Sequence, residues 1–249
     1  MQYKLLVLDV DGVLVTSKDA QVSPVVVDAV AKIKDRVTVT LCTGRTKADV
    51  QRVLDSLGLA DSYHVIESGA KVLAPDGSYA YEKLLLNKDI RAIYTASQGA
   101  VAGFAVCTKG QWLDFHEGEL YPDVTTVSLH SHSQDQTKKI LETIKPLQAT
   151  YHIAVGSHWQ IPEGNFILIT NKDASKKFGI EYIQQKLGIT KEETVAIGDM
   201  PNDLPLFEAS GLKIAMGNAH EELKKQADFI TKSIDEDGVA SAIQMYWKR

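Results

Sequence analysis

The sequence predicts an α/β chain: a doubly wound, Rossmann-like parallel-sheet core interrupted by an inserted α+β module. Three observations predict it. Short β-branched apolar runs alternate with stretches of helical period in the first third of the chain. The middle changes to amphipathic or irregular strands, and the first rhythm returns from about residue 163 to the end.

The first strand covers residues 4–10, KLLVLDV, an apolar run suited to burial on both faces. Ser23-Pro24 then supplies a cap and a first helical position, and Val26, Val27, Val30 and Ile33 give the apolar face of a helix through residue 34. A second strand, VTVTLCT, spans 37–43, and a helix over about 46–57 stops at Gly58. YHVIES, 63–68, is a third strand, completing a βαβαβ pattern that implies parallel strands with right-handed crossovers. KVLAPDGSYAYEKL, 71–84, reads as a hairpin turning at Pro75-Asp76-Gly77. Between 85 and 162, AVCTKGQWLDF, TTVSLHSHS and TYHIAVGSHWQI predict an antiparallel sheet covered on one side, with helices near 87–98 and 134–144. From FILIT onward the elements are a helix at 175–187, strand TVAIGDM, a helix at 202–208, strand KIAM, a helix at 220–226, strand DFIT and a helix at 238–246. The expected domains are a core of 1–84 and 163–249 and an inserted module of 85–162.

With 249 residues, 44% hydrophobic and 24% charged, the chain has ample material for such a core. A net charge of -5 offers no electrostatic reason to expect nucleic acid or an anionic membrane as partner. Cys42 and Cys107 are too few for a disulfide framework, the apolar start is too short for a secretion signal, and no run reaches the length of a membrane span. The expectation is a cytoplasmic protein, monomer or homodimer.

In open parallel sheets, sites lie beyond the carboxyl ends of the strands. Polar residues collect there in four segments: Asp9-Val10-Asp11-Gly12, Thr43-Gly44-Arg45, Lys176 at a helix start, and Gly198-Asp199-Met200-Pro201-Asn202-Asp203. Asp9, Asp11, Asp199 and Asp203 would make a hard-oxygen site of the kind Mg2+ prefers, and carboxylates so gathered repel unless a cation sits among them. Thr43, Lys176 and the amides after Thr43 offer hydrogen bonds and a positive charge to an anion, with phosphate the obvious candidate. Magnesium with an anion cradle points to phosphoryl transfer. Asp9 would attack, forming an aspartyl-phosphate, and Asp11 would act first as acid and then as base. Gly12 would let the chain turn tightly.

Taken in order, DVDGVL, TLCTGR, ASKK and GDMPND resemble the haloacid dehalogenase-like hydrolases. The likeness is greatest to the Cof-type branch, whose C2-type α/β cap lies between the second and third motifs and which contains sugar-phosphate phosphatases and archaeal-type phosphoglycolate phosphatases. The resemblance implies a phosphatase acting on a small phosphorylated metabolite. It assigns Asp9 as nucleophile and metal ligand, and Asp11 as acid/base holding the metal through its main-chain carbonyl. Thr43 and the Gly44 amide would bind the phosphoryl group, and Lys176 would neutralise nucleophile and phosphate. Asp199 would be the main further metal ligand, supported by Asn202 and Asp203 directly or through water. Two departures stand out. Ser68-Gly69 replaces the family's frequent Asn-Gly, and Lys177 replaces the glycine usual after the motif lysine.

Plainer readings compete at several positions. A strand-end hydroxyl such as Thr43 often satisfies backbone alone, Lys177 is not separable from Lys176 by spacing, and Asp203 also suits a helix dipole. Arg45 has two equal readings, substrate contact or partner of an acid. His130 and His132 lack a third ligand, so a solvated face is the simpler reading; His116, His152 and His158 are undecided. Trp112 and Trp159 read as cap core rather than substrate platforms, and polar residues near 109–112 and 157–159 are candidate specificity contacts. Two alternatives to a phosphatase are a phosphosugar mutase using the same intermediate and a non-catalytic phosphometabolite-binding module.

Overall fold

The computed structural model describes residues 3–16, 21–157 and 163–247. Strand β1 (Leu5–Leu8) is buried at all four positions, as a strand covered on both faces must be. Helix α1 (Pro24–Ala31) starts from the Ser23 hydroxyl with proline in its first turn, and β2 (Thr38–Leu41) follows. Helix α2 (Lys47–Leu57) is capped by Thr46 and closed by Gly58, whose φ of 61° is the left-handed conformation that glycine adopts at least cost.

The third strand departs from the expectation. Strand β3 (His64–Ile66) meets the strand before it through a single parallel bridge, Cys42 to Val65. It pairs antiparallel with β4 (Lys71–Leu73), and with β5 (Tyr79–Glu82) these make a separate three-stranded sheet. The cause is local. The buried His64 ring accepts from the Leu41 N–H through Nδ1 at 3.1 Å and meets the Leu59 carbonyl through Nε2 at 2.8 Å, taking the place of a backbone rung.

Two units divide the chain. One comprises Met1–Tyr81 with Lys176–Arg249, the other Glu82–Ser175. The inserted unit contains α3 (Asn87–Ser97), β6 (Gly103–Thr108), β7 (Gln111–Asp114), β8 (Val124–Ser131), α4 (Gln134–Ile144), β9 (Tyr151–Ser157) and β10 (Asn165–Asn171). Its sheet is antiparallel, ordered β7-β6-β8-β10-β9. Ile90, Ile93, Ile140 and Ile144 from the helices bury with Val106, Val127, Leu129, Ile167 and Ile169 from the strands. The boundary expected at residue 163 therefore moves. FILIT lies in β10, the strand between β8 and β9, and the return to the core comes at Lys176. Trp112 is also corrected: on the exposed edge strand β7 it is 41% accessible rather than part of a core. His158, Trp159 and the segment 158–162 lie outside the described residues.

The core resumes with α5 (Lys176–Leu187), β11 (Thr194–Gly198), α6 (Leu204–Glu208), β12 (Leu212–Ala215), α7 (Glu221–Lys224), β13 (Phe229–Ile230) and α8 (Gly238–Tyr246). Its five strands run parallel in the order β13-β12-β11-β1-β2. The chain leaves β1 for β2 on one side and later fills the other side with β11, so the order reverses at β1. That is where such sheets bind ligands. Among the described residues, no helix is long and apolar enough to cross a membrane.

Candidate active site

Register determines which loops meet. Leu8 of β1 lies opposite Leu41 of β2 and Ile197 of β11, so Asp9, Thr43 and Asp199 leave the sheet at the same edge. The Asp9 N–H donates to the Ile197 carbonyl at 3.1 Å, continuing the ladder to Asp9 itself. Lys176, the first residue of α5, enters from the opposite end of the sequence and is 4% exposed. Its Nζ donates to Asp9 Oδ1 at 2.9 Å and to Asp203 Oδ1 at 2.5 Å. The neighbouring Lys177 pairs instead with Glu208 on the surface, at 3.1 Å.

Asp203 is fully buried, and its second oxygen accepts from the backbone N–H groups of Asp199 (3.0 Å) and Met200 (3.2 Å). This closes the GDMPND loop into one short turn. Glycine is required on two sides of it. A Cβ at Gly198 would come within 2.7 Å of Asp203 Oδ2, and one at Gly12, where φ is +79°, within 2.0 Å of Asp199 Oδ2. The glycine of the DVDG stretch therefore makes room for the Asp199 carboxylate.

Asp9, Asp199 and Asp203 form the one group among the described residues in which three or more possible metal ligands lie within 4.8 Å of one another. Three buried carboxylates face one ammonium group. Burial first, then the Asp203 charge, pushes Asp9 up to about 7 despite Lys176; burial and the Asp9 charge push Asp199 up to about 8. Asp199 Oδ1 is buried without a hydrogen-bond partner, as is Asn202 Oδ1. Buried oxygens left unsatisfied are costly, and a ligated cation would satisfy them. The donor set is all oxygen and carries two more negative charges than the ammonium neutralises. It fits a hard divalent cation such as magnesium.

The carboxylate of Asp11 lies outside this group. It is half-exposed and held by Arg45 through Nε to Oδ2 (3.1 Å) and Nη2 to Oδ1 (2.7 Å), a bidentate pair. Of the two readings left open for Arg45, the structure displays the partner of an acid. Arg45 also donates through Nη1 to the Asp49 carbonyl at 3.3 Å. Thr43 is fully buried, and its hydroxyl accepts from the Arg45 N–H at 3.1 Å. The Gly44 loop is braced from the turn after β3, with the Ser68 N–H donating to the Thr43 carbonyl (3.1 Å) and the Glu67 N–H to the Arg45 carbonyl (2.9 Å). Glu67 (φ 51°) and Ser68 (φ 60°) are both left-handed, a conformation that asparagine or glycine tolerates better than serine. His130 stacks edge-on against Phe166 at 4.9 Å, and His132 is exposed.

Against known proteins, a model of the haloacid dehalogenase-like hydrolase family matches residues 6–243. The chain is 28% identical to the 5-amino-6-(5-phospho-D-ribitylamino)uracil phosphatase YcsE of Bacillus subtilis (strain 168), covering 98% of this chain and 95% of that protein. It is 27% identical to a phosphoglycolate phosphatase of Archaeoglobus fulgidus, covering 97% and 96% respectively. Among solved structures, a haloacid dehalogenase-like hydrolase from B. subtilis superposes with a TM-score of 0.83 at 24% identity, over 97% of this chain and 99% of that one. The subclass IIB sugar phosphatase BT4131 superposes with a TM-score of 0.78 at 22% identity, over 98% of each chain.

Proposed function

The chain belongs to the haloacid dehalogenase-like hydrolases and is a phosphatase, and from that premise we propose that it hydrolyses a small phosphomonoester through an aspartyl-phosphate on Asp9, with Mg2+ as its cation. The observation that carries the reading is the buried Asp9–Lys176–Asp203 bridge beside the unpartnered Asp199 oxygen. A structural ion pair needs one carboxylate for its lysine. Here two further acids are buried with it, an arrangement that costs stability unless a cation is bound.

Lys176 holds Asp9 by one oxygen and leaves the other to attack phosphorus. As the Asp9–phosphorus bond forms, the bond to the leaving alkoxide breaks, and the Asp11 carboxyl supplies that oxygen's proton. Water then attacks the aspartyl-phosphate and gives its proton to Asp11, and inorganic phosphate departs with Asp9 restored. Asp11 can do this only after its pair with Arg45 opens. Thr43, the Gly44 amide and Asn202 bind the phosphoryl oxygens, and Lys176 adds positive charge where negative charge develops. Asp9, Asp199 and the Asp11 carbonyl would hold the Mg2+, with Asp203 supporting it directly or through water, and the bound cation would supply positive charge against the phosphoryl group. The substrate is of the sugar-phosphate or phosphoglycolate kind, in keeping with the relatives' names. Selectivity for the leaving group lies in the inserted unit.

The test is phosphate release from a panel of sugar phosphates, phosphoglycolate and nucleotide precursors with Mg2+, comparing wild type with Asp9→Asn. Turnover of one compound class, abolished by the substitution and by chelator, supports the reading. No release from any compound by a folded, cation-binding wild type would sink it.

A further inference from the structure

One loop of the core touches both acidic loops of the site. It follows β12, over Met216–Gly217–Asn218–Ala219–His220. The Met216 N–H donates to the Gly198 carbonyl at 3.0 Å and the His220 N–H to the Asp199 carbonyl at 2.8 Å. Between them Asn218 reaches the other way, its Nδ2 donating to the Gly12 carbonyl at 2.9 Å. Its Oδ1 accepts from the Ile234 N–H at 2.8 Å. The carboxamide orientation follows from its partners, since Ile234 presents a donor and Gly12 an acceptor. Gly217 fixes the approach: a Cβ there would lie 2.6 Å from the Ser233 nitrogen.

Gly12 is the residue that a Cβ would drive into the Asp199 carboxylate. Its N–H is held by the Val15 carbonyl at 2.8 Å, so the Asn218 bond fixes its second peptide group as well. With both peptide planes of Gly12 held, the Asp11 carbonyl on its N-terminal side has little freedom to turn. The bond to Asn218 is exposed, so it contributes little burial, yet it links residues 206 positions apart in the sequence.

Resting on the reading of the acidic cluster as a cation site, we propose that Asn218 is a positioning residue for that site. By holding the Gly12 carbonyl while its own loop holds Asp199, it sets the spacing between the Asp11–Gly12 turn and the Asp199 carboxylate, and thereby the affinity for the cation.

The experiment uses the full chain and Mn2+ as the probe, followed by titration calorimetry and by the spin signal of free Mn2+. Asn218→Ala removes both bonds. Asn218→Asp keeps an oxygen for Ile234 but has no donor for Gly12. Both variants are expected to bind Mn2+ about 10- to 100-fold more weakly, the usual cost of losing a group that orients a metal ligand. The Mn2+ concentration giving half-maximal phosphate release should rise by the same factor, with KM for the ester at saturating Mn2+ unchanged. Wild-type affinity in both variants, whatever their melting temperatures, would overturn the proposal alone. Failure of both to fold would assign Asn218 to the fold and overturn it too. Absence of Mn2+ binding in the wild type would remove the cation-site reading along with it.

Discussion

At the scale of single residues, the site is a problem of charge in a place sheltered from water. Asp199 illustrates it, because burial and the neighbouring Asp9 hold its carboxyl far above the ordinary range. Without a divalent cation the protein carries that cost; with one it is offset. Asp199→Asn should therefore melt a few degrees above wild type in chelator at pH 8, and below it in excess Mg2+, where only the wild type gains binding energy. Thermal melts of both proteins under both conditions check this, and an unchanged order would refute it. Gly12→Ala makes the opposite point. The substitution adds left-handed strain of roughly 1–2 kcal/mol and a clash 2.0 Å from Asp199 Oδ2, so both chelated stability and Mn2+ affinity should fall. Most of these residues were legible in the sequence, because strand ends followed by Asp, Thr-Gly or Gly-Asp are rare unless chemistry needs them. Asn218 was not. Its signal, a Gly-Asn pair directly after the apolar run KIAM, is also that of an ordinary turn.

At the scale of elements, the departures from expectation have physical causes. FILIT reads as a core strand because an apolar run on an interior strand of a covered antiparallel sheet is not told by its pattern from one in a parallel sheet. Strand β3 reads as the third strand of the parallel sheet because nothing in YHVIES reveals that the His64 ring, rather than a backbone group, will satisfy Leu41. That ring makes a titration prediction. Burial pushes His64 down to about 4, whereas an unfolded histidine titrates near 6.5. The folded state thus prefers the neutral ring. Its stabilisation is complete above pH 6.5 and is lost as the pH falls from 6.5 towards 4. In Mg2+ buffer, the unfolding free energies of wild type and His64→Gln from urea melts should show a gap about 2 kcal/mol smaller at pH 5 than at pH 7. An equal gap at both pH values would mean that the ring is not held neutral.

At the scale of the whole molecule, each unit has its own hydrophobic core. That of the larger unit draws on strands β1, β2, β11 and β12 and their helices, and that of Glu82–Ser175 on its own sheet and two helices. Every candidate site residue (Asp9, Asp11, Thr43, Gly44, Lys176, Asp199, Asn202 and Asp203) belongs to the larger unit. The division predicts separable properties. The two chain ends that flank the inserted unit are tied together within the larger one, since Tyr81 stacks on Tyr182 of α5 at 5.3 Å and the Tyr182 hydroxyl donates to the Ala80 carbonyl at 2.7 Å. A short Gly-Ser linker replacing residues 82–175 should therefore leave a folded core. Under the proposed function that core keeps its Mn2+ affinity to within a few-fold. It should hydrolyse an activated aryl phosphate slowly but lose its preference among natural phosphomonoesters, because the groups that chose between leaving alcohols are gone. Calorimetric Mn2+ titration and the same substrate panel measure the two properties separately. A folded core that still ranks the panel as the full chain does would return selectivity to the larger unit, to residues such as Arg45 and Ser68. A folded core that has lost Mn2+ would mean that the carboxylate cluster depends on the inserted unit, contrary to the hydrogen bonds that hold Asp9, Asp203 and Lys176 within one sheet edge.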